Sequence, residues 1–154
     1  MAANVDALID AISDPVTVAD GDKIKAAREA YDSLSDVQKE LVTKLDKLET
    51  AESDYDKLMA ANAEKLINEL PEAGKVTSKD KDAIEAARKV YDALTDAQKE
   101  LVSEKSVKKL EAVEKAYAKL VPKTGDSMNV IWFAVAIVAA ACVAVVVYKK
   151  IKKA

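Results

Sequence analysis

The chain contains the same stretch twice. Shifted by 60 positions, Ile24-Lys25-Ala26-Ala27-Arg28-Glu29-Ala30-Tyr31-Asp32-Ser33-Leu34 falls on Ile84-Glu85-Ala86-Ala87-Arg88-Lys89-Val90-Tyr91-Asp92-Ala93-Leu94. Ser35-Asp36-Val37-Gln38-Lys39-Glu40-Leu41-Val42 likewise falls on Thr95-Asp96-Ala97-Gln98-Lys99-Glu100-Leu101-Val102. The correspondence extends upstream, where Leu8-Ile9 pairs with Leu66-Ile67, and downstream, where Leu48, Tyr55 and Leu58 pair with Leu110, Tyr117 and Leu120. Such a duplication restricts the fold strongly, because each copy must be one supersecondary unit that buries its apolar face against itself or its neighbour. We divide the chain into repeat one at 1–60, repeat two at 61–120, and a remainder at 121–154.

Each repeat reads as a three-helix unit. The first helix carries Val5, Leu8, Ile9 and Ile12 at helical spacing. It is expected to end near Asp14-Pro15 in repeat one and before Pro71 in repeat two, since proline disfavours helix at the residue before it. Thr17-x-x-Asp20 and Thr77-x-x-Asp80 have capping-box spacing and open a second helix, whose stripe is Ile24, Ala27, Tyr31 and Leu34, repeated as Ile84, Ala87, Tyr91 and Leu94. Ser35-x-x-Gln38 and Thr95-x-x-Gln98 open a short helix expected to supply Leu41 and Val42, or Leu101 and Val102, to the core. The last helix carries Leu45, Leu48, Tyr55 and Leu58, or Val107, Leu110, Val113, Tyr117 and Leu120. Neither Gly nor Pro interrupts positions 45–70. The last helix of repeat one is therefore expected to run on into the first helix of repeat two, over roughly 39 Å. The fold class expected is all-α: two tandem three-helix-bundle repeats joined by a continuous helix into a rod, followed by a C-terminal transmembrane helix.

Composition agrees, with 33% charged residues and only 3 Gly and 3 Pro in 154. Charge is distributed unevenly. Five of the 24 basic residues and one of the 27 acidic residues lie beyond position 120, which leaves 19 and 26 before it, a net of −7 against −3 for the whole chain. An acidic front of this kind argues against nucleic acid as a partner. The chain has no His, the commonest general base and transition-metal ligand, and we expect neither a catalytic residue, a metal site nor a cofactor. Its single cysteine, Cys142, lies inside an apolar run and reads as packing. Met1-Ala2-Ala3-Asn4-Val5-Asp6 lacks the basic and apolar regions of a secretory signal, so we expect either the C-terminal part of a longer precursor or a misplaced gene start.

Within the repeats, Arg28 and Arg88 are the only arginines, at matched positions, each with an Asp four residues on (Asp32, Asp92). The spacing suits a helical ion pair, with a recurrent ligand contact as the alternative. Tyr31, Tyr91, Tyr55 and Tyr117 fall at core spacing and read as packed rings with the hydroxyl at the rim.

The region 121–154 has a different character. Val121-Pro122-Lys123-Thr124-Gly125 is followed by the spacer Asp126-Ser127-Met128-Asn129, an uncharged run over 130–147, and Tyr148-Lys149-Lys150-Ile151-Lys152-Lys153-Ala154. Val121 precedes proline and is pushed to extended backbone, and Gly125 lets another protein's backbone come close. A helix over 130–148 spans about 28 Å, close to the hydrocarbon thickness of a bilayer. Trp132 and Phe133 mark one interface, Tyr148 the other, and Lys149, Lys150, Lys152 and Lys153 are held in the cytoplasm by the positive-inside rule.

This ordered set resembles the cell-wall sorting signal of Gram-positive surface proteins, the LPXTG-type substrates of sortases, with Val121 where Leu is commonest. The resemblance implies that a sortase cysteine attacks the Thr124 carbonyl, releases the part that starts at Gly125, and passes Thr124 to an amine of a peptidoglycan precursor. The chain is then a substrate and not an enzyme. Its partners are sortase, peptidoglycan joined covalently through Thr124, and transiently the membrane, and its location is the cell wall. The repeats also resemble tandem helical modules of Gram-positive extracellular proteins with an AAR-x-x-YD-x-L-[ST]-x-x-QK-x-LV pattern. The function expected is a rigid acidic stalk. The alternatives are an adhesin whose repeats bind a host protein, the anchor region of a larger extracellular enzyme, and an uncleaved tail-anchored protein.

Overall fold

The computed structural model describes residues 1–120, and every regular element among them is helical. The α-helices are α1 (Ala2–Asp10), α2 (Gly21–Asp32), α3 (Asp36–Lys39), α4 (Leu45–Glu69), α5 (Lys81–Asp92), α6 (Asp96–Leu101) and α7 (Glu104–Leu120). Short 3-10 turns at Val18–Asp20, Ala73–Lys75 and Ser78–Asp80 lead between them. Residues 1–120 form one compact unit. None of these helices is long and apolar enough to cross a membrane; the span expected at 130–148 lies outside the described residues.

Helix α4 sits where the two repeats meet. Its 25 residues cover about 37 Å without a break. Its first half buries Leu48 and Ala51, which pack with Val5, Ile9, Ile12, Ile24, Ala27 and Leu34. Its second half buries Ile67, which packs with Ile84, Ala87, Leu110, Val113 and Tyr117. Between these cores Ala60 and Ala63 pack with Leu94 and Val102. Small residues there let the neighbouring chain come close to the α4 backbone. The helix stops at Glu69, and Leu70 turns to extended backbone (φ −64°, ψ 145°), the conformation imposed on a residue before proline.

Three local expectations are corrected. Helix α1 ends at Asp10, four residues short of Asp14-Pro15. The early exit turns Ile12 into the core and brings Ser13 to Asp20, where its N–H and Oγ donate at 3.3 and 3.0 Å. Second, Leu41 and Leu101 do not enter the core and are 64% and 51% exposed. Val42 and Val102, expected beside them, do pack inward, just past the ends of the short helices. Third, Leu120 is half exposed at the end of α7.

Candidate functional site

The residues expected to carry function, Val121, Pro122, Lys123, Thr124 and Gly125 with Trp132, Phe133, Tyr148, Lys149, Lys150, Lys152 and Lys153, lie outside the described residues. What the described residues offer is a set of polar clusters, most of them built twice.

The first joins the middle helices to the last ones. Arg28, on α2, meets Glu52, on α4, through two parallel bonds: Nε donates to Oε1 and Nη2 to Oε2, both at 2.6 Å. Arg88, on α5, repeats this with Glu114, on α7, at the same two distances. This fork-to-fork geometry is the strongest pairing available to a guanidinium. Asp32, four residues on, stands only at 4.0 Å from Arg28, while Asp92 approaches Arg88 to 3.4 Å. The interhelical glutamates are thus the main partners, and the aspartates expected from helical spacing are secondary. Burial alone would lower the Arg88 pKa, but Glu114 outweighs it and the group lies above its ordinary value. The same guanidinium groups lie over tyrosine rings, with Arg28 at 5.4 Å from the Tyr31 centroid and Arg88 at 5.6 Å from that of Tyr91. Lys39 and Lys99 flank the same rings at 5.5 and 6.0 Å.

A second pair of clusters closes helix starts. Asp6, on α1, accepts from Thr43 N at 3.1 Å, Thr43 Oγ1 at 2.8 Å and Lys44 N at 3.2 Å, ahead of α4. Glu64, on α4, accepts from Ser103 N at 2.6 Å, ahead of α7. A carboxylate from one helix here serves the exposed N–H groups at the start of another. The Ser103 contacts hold the Glu64 carboxyl below its ordinary pKa.

The third cluster is not symmetric. Asp20 is fully buried and accepts from Lys23 Nζ at 2.8 Å, Thr17 Oγ1 at 2.6 Å, Thr17 N at 2.9 Å, and Ser13. These donors, led by Lys23, hold its carboxyl far below the usual range. Among the described residues Asp80 accepts from Thr77 alone, through N at 2.7 Å and Oγ1 at 2.8 Å, and is partly exposed. Ala83 stands where repeat one has Lys23.

Chemically these groups hold helices together. Among the described residues no group of His, Cys, Asp or Glu could hold a metal ion, and every buried side-chain nitrogen or oxygen has a partner. The capping boxes at 17–20, 35–38, 77–80 and 95–98 were legible in sequence and are present. Glu52, Glu114, Asp6 and Glu64 were missed. They keep a carboxylate at matched positions of the duplication, and that was the available signal. No known protein family, curated protein or solved structure matches this chain.

Proposed function

We propose that this chain is the anchor-bearing part of a cell-wall surface protein of a Gram-positive bacterium. In this reading residues 1–120 are a helical stalk of two tandem three-helix repeats, and residues 121–154 are a sorting signal. A sortase cuts between Thr124 and Gly125 and joins Thr124 to peptidoglycan. The segment 130–148 crosses the membrane only until that cut, with Lys149, Lys150, Lys152 and Lys153 on the cytoplasmic side. The observation that carries the reading is the order of parts in the sequence: Val121-Pro122-Lys123-Thr124-Gly125, a four-residue spacer, an uncharged run and a lysine cluster.

The repeats support the stalk half of the reading. Helix α4 spans the join between the copies without a hinge residue, and its two ends belong to different cores. The bidentate pairs Arg28–Glu52 and Arg88–Glu114 tie neighbouring helices of each copy. A stalk needs such stiffness, and its acidic surface keeps it solvated. Fractionation of cells that make the chain behind an export signal tests the anchoring half. The wild-type chain is expected in the wall fraction, released by wall hydrolases and resistant to boiling detergent. Thr124→Ala is expected in the membrane fraction; equal wall linkage of both would reject the reading.

A further inference from the structure

The two repeats contain one identical pentapeptide, Gln38-Lys39-Glu40-Leu41-Val42 and Gln98-Lys99-Glu100-Leu101-Val102, in two different environments. In repeat two, Gln98 and Val102 are both 6% exposed. Gln98 Nε2 donates to Asp56 Oδ1 at 2.8 Å, and Asp56 belongs to the half of α4 contributed by repeat one. Val102 packs with Ala60, Ala63 and Met59 of the same helix. In repeat one, Gln38 and Val42 are only half-buried. The polar partner of Gln38 Nε2 outside its own capping box is Met1 Sδ at 3.8 Å, a weak acceptor. Met1 and Ala2 stand where repeat two has Met59 and Ala60, and they too are more exposed: Met1 is 85% exposed where Met59 is half-buried, and Ala2 is half-buried where Ala60 is buried. The short helix differs accordingly, with four residues in α3 and six in α6. The pentapeptide is the same in both places, and what covers it in repeat two is the helical turn around Asp56, which has no counterpart over repeat one among the described residues.

We propose that the face formed by Met1, Ala2, Gln38 and Val42 is a stacking surface for another copy of this repeat. The occupant is the C-terminal half of that copy's last helix, entering in the register in which the 45–58 part of α4 enters the second repeat. Its carboxylate at the Asp56 position accepts from Gln38, and its end runs into α1 as residue 58 runs into Met59. The repeat is then a head-to-tail unit that extends by addition, with the pentapeptide as its receiving element. The proposal rests on the duplication in 1–120 and not on the fate of 121–154, so its failure leaves the sorting reading standing.

Hydrogen exchange on the full chain in detergent micelles, read by mass spectrometry, tests it in two steps. In the chain as it stands, amides 98–102 are expected to exchange about ten-fold more slowly than amides 38–42, the scale of one hydrogen bond with its covering helix. Asp56→Ala should remove most of that difference, while Gln38→Ala should leave 38–42 unchanged. In a full chain with a second copy of residues 1–58 placed directly before Met1, exchange of the original 38–42 should slow to the rate of 98–102. Asp56→Lys made in the added copy alone should reverse this. Equal exchange of the two pentapeptides in the original chain, or exchange at 38–42 that the added copy leaves unchanged, would overturn the proposal.

Discussion

Arg28 and Glu52 face each other fork to fork, with both nitrogen–oxygen distances at 2.6 Å, and Arg88 and Glu114 repeat the arrangement at the same distances. The copies differ in surroundings. The Glu114 side chain is 8% exposed and that of Glu52 29%. A buried carboxylate that loses its partner is costly, whereas a half-solvated one recruits water. Arg88→Ala is therefore expected to cost about 3–5 kcal/mol, and Arg28→Ala about 1 kcal/mol. Urea denaturation of both variants checks the ranking, and equal losses would mean that water reaches both sites alike.

Acid should weaken the fold through its carboxylates. Asp10, Asp20, Glu64, Asp80 and Glu104 all lie below their ordinary pKa, held there first by Lys44, Lys23, Ser103, Thr77 and Lys108 respectively. A carboxylate with a depressed folded pKa adds stability above its unfolded value, near about 4. That stability is lost as pH falls from there towards the folded value. With no His in the chain, stability is expected to be flat between about pH 6 and 8. Urea midpoints across pH 2–8 should show both features. Asp20→Asn should shallow the acid decline more than Asp80→Asn, since Asp20 has the larger set of donors.

Gly21 is a steric requirement of one repeat only. A Cβ there would stand 2.8 Å from Cζ of Tyr55, and closer still to its hydroxyl. Gly21→Ala is expected to destabilise by about 1–3 kcal/mol, the range of overpacking, although alanine is the better helix former. Gly74→Ala meets nothing within 4 Å among the described residues and is expected to stay within about 0.5 kcal/mol of the parent. Thermal melts of the two variants decide it. A stabilised Gly21→Ala would show that Tyr55 moves aside freely.

The caps contributed by other helices give a further pair. Asp6→Ala removes the acceptor for Thr43 and Lys44, and Glu64→Ala that for Ser103. Each is expected to cost about 1 kcal/mol, the usual loss of a helix cap. Chemical denaturation checks this, and in each case amide exchange should rise at the start of the helix that lost its cap.

How much of this could be read beforehand depended on how local the cause was. Capping boxes, the stop before Pro71 and the continuity of α4 depend on residues within four positions, and the sequence displays them directly. The Arg28–Glu52 pair joins residues 24 positions apart, and spacing on one helix pointed to Asp32 instead. Leu41 and Leu101 are expected in the core together with Val42 and Val102; the short helices end at Lys39 and Leu101, so helical spacing says little about which side chains turn inward there. Asp20 reads as half of a capping box, and nothing in its neighbourhood announces that α1 stops early and brings Ser13 to it. The proposed sorting residues 121–125 rest on sequence alone.

Mass spectrometry of the protein released from isolated walls tests the proposed anchoring at Thr124. The mature chain is expected to end at Thr124, with a peptidoglycan fragment in amide linkage to its carboxyl. A mature chain that still carries Lys152, Lys153 and Ala154 would contradict it.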